Sequence, residues 1–425
     1  MRALPKSAWA WALYDWANSA FALSILVIFY GPFFTSYWYD GPKEQGLWWV
    51  ALSVTVSSIA VAILAPLLGA VIEGGRLKKK CLLGTATLGI VATAGLAAVP
   101  AGAWEWALGM RLLASLGFFG SLVCYDALLT EVSTRENRHF VSGLGFSLGY
   151  LGSVMLLIAQ FVLVQKPELL GLDAAGAVKV SYITVALWWL VFTLPLILWV
   201  PERAASEHRD GIRAAIGHTW RELRSTVGFL RATPTTAIFL LAYFFYTDGA
   251  NTLTNMTATY AEGAGIASQD LMMAIILVQF VGVPCAVLLG FLGQKMPPRL
   301  LITGCILVYL GVTLYSFRLS PVPVDLFGFQ VGSVYILAVL IGIVQGGLQA
   351  LSRSYLANVV PETHIGGCFG FYNMLGKGGA IMGPLLMGGF ATLSGEQRWG
   401  ALAVGILFII GLVLLWRAPR PVAAA

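Results

Sequence analysis

The chain has 425 residues, of which 58% are hydrophobic and only 11% charged, and its formal net charge is +6. Soluble domains average about 25% charged residues, so this composition excludes a soluble protein. The basic residues sit in short segments between apolar runs and form no basic domain, which excludes a nucleic-acid partner and instead sets orientation in a bilayer.

A spanning helix needs about 20 mostly apolar residues, and twelve such runs follow in chain order. The first, Trp11–Phe33, comes after Arg2 and Lys6. Asp15 and Asn18 interrupt it and no small-residue cleavage site follows, so it reads as a retained span and not a signal peptide. Leu47–Ile72, Cys81–Val99, Trp106–Leu129, Phe140–Leu163 and Val180–Val200 complete a first half. The longest polar stretch, Pro201 to Pro234, then carries Ile212, Ile216, Trp220, Leu223 and Val227 at helical spacing among charged residues. It is expected to be an amphipathic helix joining the halves, either lying on the membrane or solvated. Thr235–Tyr260, Leu271–Leu292, Leu300–Phe317, Val331–Leu351, Gly367–Phe390 and Trp399–Trp416 form the second half. The expected fold is an all-α membrane protein of twelve transmembrane helices in two six-helix parallel repeats, divided as residues 1–200, 201–233 and 234–425.

With both termini cytoplasmic, Lys and Arg favour the inner segments about three to one over the outer ones, as the positive-inside rule requires. Trp38, Trp48, Trp49, Trp104 and Trp106 then fall at the outer interface as an aromatic belt. The five cysteines lie in or beside apolar runs and read as packing residues, so no disulfide, metal site or cofactor is expected.

An Asp inside a span costs at least about 2.5 kcal/mol on insertion scales. The chain carries one twice in the same setting: Asp15-Trp16-Ala17-Asn18-Ser19 in the first span and Asp248-Gly249-Ala250-Asn251-Thr252 in the seventh. Gly145-Phe146 near the start of the fifth span and Gly370-Phe371 near the start of the eleventh extend the repeat. Helical spacing puts Asp15, Asn18 and Ser19 on one face, and in the seventh span Asp248, Thr252, Asn255 and Thr259. The tenth span repeats the pattern with Gln345, Gln349 and Ser352, followed by Arg353, and the fourth carries Arg111 and Asp126. The eleventh adds Asn373 and, near mid-span, Lys377, which must pair or face water. Lys377 and Arg111 are the expected counter-charges of Asp15 and Asp248. Lys377 is either a binding residue or half of a fixed ion pair. Substrate is assigned to Asp248, and coupling or gating to Asp15. Carboxylates that alternate between dry and cation-lined surroundings can carry a proton each cycle; sodium coupling and uniport stay open.

The segment after the second span contains Gly69, Glu73, Arg76 and the run Lys78-Lys79-Lys80. Its counterpart after the eighth has Gly290, Lys295 and Arg299 but no acid. Glycine allows close helix approach and the charges can latch a cytoplasmic gate, to which Arg353 also belongs. His139, His208, His218 and His364 fall in or beside inner loops, and no phosphate loop, His-Glu-x-x-His or soluble catalytic domain is present, so an enzyme is not expected.

The segment after the second span resembles the cytoplasmic signature of the major facilitator superfamily, with Glu73 where Asp is usual. Leu13-Tyr14-Asp15-Trp16-Ala17-Asn18-Ser19-Ala20-Phe21 resembles the opening signature of that superfamily's vacuole-effluxer-like branch. Gln345-Gly346-Gly347-Leu348-Gln349-Ala350-Leu351-Ser352-Arg353-Ser354 and Phe369-Gly370-Phe371-Tyr372, with Lys377 and Gly383-Pro384, resemble its tenth- and eleventh-helix motifs. The resemblance implies alternating access around spans one, four, seven and ten. It also implies a link to amino-acid export, known for the branch's eukaryotic members. The expected protein is a monomeric secondary transporter of a small polar or zwitterionic solute in a bacterial cytoplasmic membrane, with the solute, the lipid bilayer and protons as partners. The alternatives are a proton-driven exporter of amphipathic compounds and, from another class, a channel or non-transporting sensor.

Overall fold

A bilayer offers no water to backbone groups, so apolar runs of this length cross it as helices that pair every N–H internally. The computed structural model describes residues 4–75, 77–201, 212–263, 266–326, 328–378 and 382–418. Ten helices among them are long and apolar enough to span alone. These are Lys6–Trp38, Lys43–Glu73, Lys78–Ala98, Trp104–Val132, Arg138–Gln165, Ala174–Trp199, Gln269–Leu292, Pro298–Ser316, Ser333–Val359 and Arg398–Arg417. The seventh expected span is the helix Pro234–Gly263, which follows the linker helix Ile212–Ala232. The chain bends by 97° between them, where Pro234 removes an N–H from the helical ladder. Of the eleventh, the helical stretches Ile365–Gly378 and Met382–Ser394 are described.

The first span is continuous but underwound at two places, Phe21–Phe29 and Phe34–Trp38, where N–H groups reach back five residues, as Tyr39 does to Phe34 at 2.9 Å. Pro32 lies between these wide turns and has no N–H to give. An antiparallel pair of three-residue strands, Val324–Leu326 and Phe329–Val331, joins the ninth and tenth spans.

Two compact units emerge, and neither is contiguous in sequence. The first comprises Met1–Thr134, Leu148–Thr226 and Glu362–Met374. Inside it the third and fourth spans pack closely, because a Cβ on Gly117 would strike the backbone of Gly89. Phe21, Phe118 and Trp189 form its aromatic centre, with centroids 5.1–6.0 Å apart. The second comprises Arg135–Ser147, Val227–Pro361 and Leu375–Ala425. There Gly342 and Gly347 let the tenth span lie against Val281 and Leu289 of the eighth, and Tyr309 stacks on Phe408 at 5.1 Å.

Candidate functional site

The repeated Asp motif does different work in its two copies. In the first unit, Asp15 is buried and its Oδ2 accepts the Tyr125 hydroxyl at 2.8 Å. Trp11, one turn earlier, stacks on the Tyr125 ring at 4.3 Å and donates its Nε1 proton to the Tyr125 carbonyl at 2.9 Å, fixing the phenol's position. The next residue, Asp126, accepts from Asn373 Nδ2 at 2.9 Å. Asn18 is buried beside this cluster with its Nδ2 unpartnered, and so is the Tyr150 hydroxyl, which lies within electrostatic reach of Asp15. Ser19 is half-buried and packs on the fifth span, where a Cβ on Gly149 would come within 2.6 Å of its Oγ. Sequence reasoning found Asp15, Asn18, Asp126 and Asn373 but missed Tyr125 and Tyr150. A Tyr next to an intramembrane Asp was the available signal, since a buried phenol seeks a polar partner.

In the second unit Asp248 is fully buried against the helix Met382–Ser394. Its Oδ2 accepts the N–H groups of Met382 and Gly383, each at 3.0 Å, and its Oδ1 accepts the Thr252 hydroxyl at 3.4 Å. The carboxylate therefore caps the N-terminus of the helix Met382–Ser394, where the helix dipole favours negative charge. Asn251 Nδ2 donates to the Gly376 carbonyl at 3.3 Å. The Asp-x-x-Asn-Thr string thus contacts both Ile365–Gly378 and Met382–Ser394. Only glycine fits at 383, where a Cβ would collide with Thr252.

The side chains of Lys377 and Asn255, and Arg76 altogether, lie outside the described residues. The expected pairing of Arg111 with a motif Asp is corrected: Arg111 Nη1 donates to Ser53 Oγ at 3.0 Å, and the guanidinium carbon stands 4.9 Å from the Tyr30 ring centroid. Arg111 lies roughly two turns into its helix and Asp126 near the other end, about 22 Å further on. Gln345 and Gln349 are half-buried, and Gln345 Oε1 is unpartnered. Ser352 instead bonds Tyr246 of the seventh span at 2.7 Å.

The glycines expected to gate do sit at close helix crossings. A Cβ on Gly69 would lie 2.6 Å from the Gly366 carbonyl, and one on Gly370 would lie 2.7 Å from that of Ala65. One turn on, Glu73 Oε2 accepts from the N–H groups of Gly366 and Gly367, capping the helix that begins at Ile365. Loss of this cap in Glu73→Ala is expected to cost about 1–2 kcal/mol, read as a lower unfolding midpoint than in Glu73→Gln. The second unit has a matching crossing, with Gly143 2.5 Å (Cβ) from the Ala286 carbonyl and Gly290 2.7 Å from that of His139. Arg353, buried, donates to Ser142 Oγ and to its carbonyl, both at 3.0 Å, and lies over the Phe146 ring. His139, expected beside a loop, is buried and meets Ser354 at 2.7 Å and Asn358 at 3.1 Å.

Lys295 covers the Phe291 ring and Arg299 donates to the Ala418 carbonyl. The lysine run is partly structural. Lys78 pairs with Glu131 at 2.8 Å, and Lys79 donates to the Ile197 and Val200 carbonyls at the end of the sixth span.

Residues 130–423 match the protein family described as vacuole effluxer Atg22-like. An uncharacterised MFS-type transporter of Bacillus subtilis, YxiO, is 32% identical over 99% of this chain and 96% of its own length. Autophagy-related protein 22-1 of Penicillium rubens is 26% identical over 68% of this chain, a match spanning 50% of the fungal protein. Among solved structures, the human organic anion transporter MFSD10 superposes with a TM-score of 0.71 at 15% identity, covering 96% of this chain and 99% of that one. The Escherichia coli fucose:proton symporter FucP superposes with a TM-score of 0.69 at 14% identity, covering 98% of both chains. These likenesses establish the twelve-helix transporter fold. The relatives and neighbours are transporters, not enzymes.

Proposed function

The chain belongs to the Atg22-like vacuole-effluxer family of major facilitator transporters, and from that premise we propose that it carries a small polar or zwitterionic solute, amino acids foremost, with a proton as the coupling ion. The observation that carries the coupling is Asp248. A fully buried carboxylate holds the start of a half-helix by accepting two backbone N–H groups. A protonated carboxyl accepts less well, so proton arrival loosens the half-helix and departure re-forms the cap. We assign coupling and gating to Asp248 and solute contact to the Asp15, Asn18 and Asp126 cluster. This reverses the roles expected from the sequence, because Asp248's oxygens are occupied by the protein's own backbone. The lysine and arginine bias supports a bacterial cytoplasmic membrane with both termini inside, and we take the monomer as the working unit.

The test is uptake of radiolabelled amino acids by proteoliposomes with and without an imposed pH gradient. Flux that needs the gradient and collapses with a protonophore is expected. Equal flux without a gradient removes the proton, and no flux of any solute tried removes the carrier assignment.

A further inference from the structure

The aspartates of the two clusters are each met by donors. Elsewhere in the first unit the imbalance runs the other way. Arg111 is 5% exposed, and its Nε has no hydrogen-bond partner within the protein. Ser53, which receives Nη1, already donates its own proton to the Val50 carbonyl at 2.7 Å. Tyr30, under the guanidinium, is 1% exposed with an unpartnered hydroxyl, and Tyr182 is 0% exposed with another. The two phenols flank Trp38, at 5.7 and 5.8 Å between ring centroids, and Trp38 spends its own Nε1 proton on the Val99 carbonyl. Among the described residues no acidic side chain pairs with Arg111. Three spans thus bring buried donors to one place with a single positive charge and too few acceptors.

We propose that this cluster, about 22 Å along the fourth span from Asp126, is a separate station that binds the carboxylate of the transported solute on its way to or from the Asp15, Asn18 and Asp126 cluster, so that the substrate class is organic monocarboxylates, zwitterionic amino acids included. A buried cation is costly unless matched by an anion that also fills its hydrogen bonds. The planar guanidinium fork fits a carboxylate with two parallel bonds, and a neighbouring phenol can donate to the same oxygens. One cation matches one negative charge, which disfavours a phosphate dianion. The inference rests on the carrier assignment above and narrows it to solutes with a carboxylate.

The experiment measures thermal unfolding of the purified full-length protein against L-leucine, leucinamide, 4-methylpentanoate and 4-methylpentanamide, with inorganic phosphate and chloride at equal ionic strength. Carboxylates are expected to raise the midpoint with concentration, because a ligand that binds only the folded state stabilises it, and the amides to leave it unchanged. Arg111→Gln should abolish the rise. Tyr30→Phe removes only an unpaired hydroxyl and should fold normally while weakening carboxylate binding about tenfold, the worth of one hydrogen bond to a charged group. Amides acting like the acids, phosphate or chloride acting as strongly as carboxylates, or wild-type carboxylate affinity in Tyr30→Phe would each overturn the proposal. No shift with any carboxylate, alongside gradient-driven uptake of a neutral solute, overturns it while the carrier assignment stands. Carboxylate shifts without flux of any solute support the site and sink the carrier.

Discussion

Asp248→Asn is expected to yield a folded protein whose transport no longer responds to a pH gradient, whereas Asp248→Ala is expected to lose both transport and stability. The difference follows from the two N–H groups of Met382 and Gly383 that the carboxylate receives. An Asn side chain still offers one neutral acceptor oxygen, a weaker cap like that of the protonated carboxyl but enough to keep the fold, and it cannot take up or release a proton. Alanine offers nothing, and each buried donor left unpaired costs about 1–3 kcal/mol. The measurements are the unfolding midpoint in detergent and uptake with and without a gradient. Gradient-driven flux in Asp248→Asn equal to wild type would place the proton elsewhere. A stable Asp248→Ala protein would show that the half-helix is held by other contacts.

Gly69→Val has the next largest expected effect, and it acts on conformation more than on chemistry. The added Cβ would sit 2.6 Å from the Gly366 carbonyl and 3.0 Å from Gly370 Cα, both of them backbone atoms that cannot swing aside. Overpacking of this kind costs about 1–3 kcal/mol, which at about 1.4 kcal/mol per tenfold moves the packed state's population by roughly five- to a hundredfold. Cys368 reports it directly, being buried at the same crossing. In a protein with the other four cysteines changed to Ser, maleimide labelling of Cys368 should rise at least about fivefold in Gly69→Val. Unchanged labelling would mean that the crossing does not open and is no gate.

The spans were legible because a bilayer demands long apolar helices, and the repeated Asp motif because intramembrane carboxylates are rare. The close crossings at Gly69 and Gly290 were legible as glycines, but their partners Gly366, Gly370 and Gly143 were not, since no periodicity reveals which distant helix a small residue will meet. Arg111 was legible as an intramembrane cation and misjudged in its partners. Charge alone pointed to an Asp, while Ser53 and Tyr30 reach it only through the folding of the first two spans against the fourth.

The bond from Glu73 to the Gly366 amide joins residues 293 apart in sequence. A ribosome adds about 5–20 residues per second, so Glu73 enters the membrane many seconds before its partner exists. The first unit therefore cannot be finished while the first half is being made; it waits for residues 362–374. During that interval the crossing face of the second helix is exposed to lipid or to whatever insertion factor holds it. Truncation before residue 362 should consequently leave a first half that is inserted yet open to proteases at the Glu73 end, a vulnerability of biogenesis that the finished protein does not share.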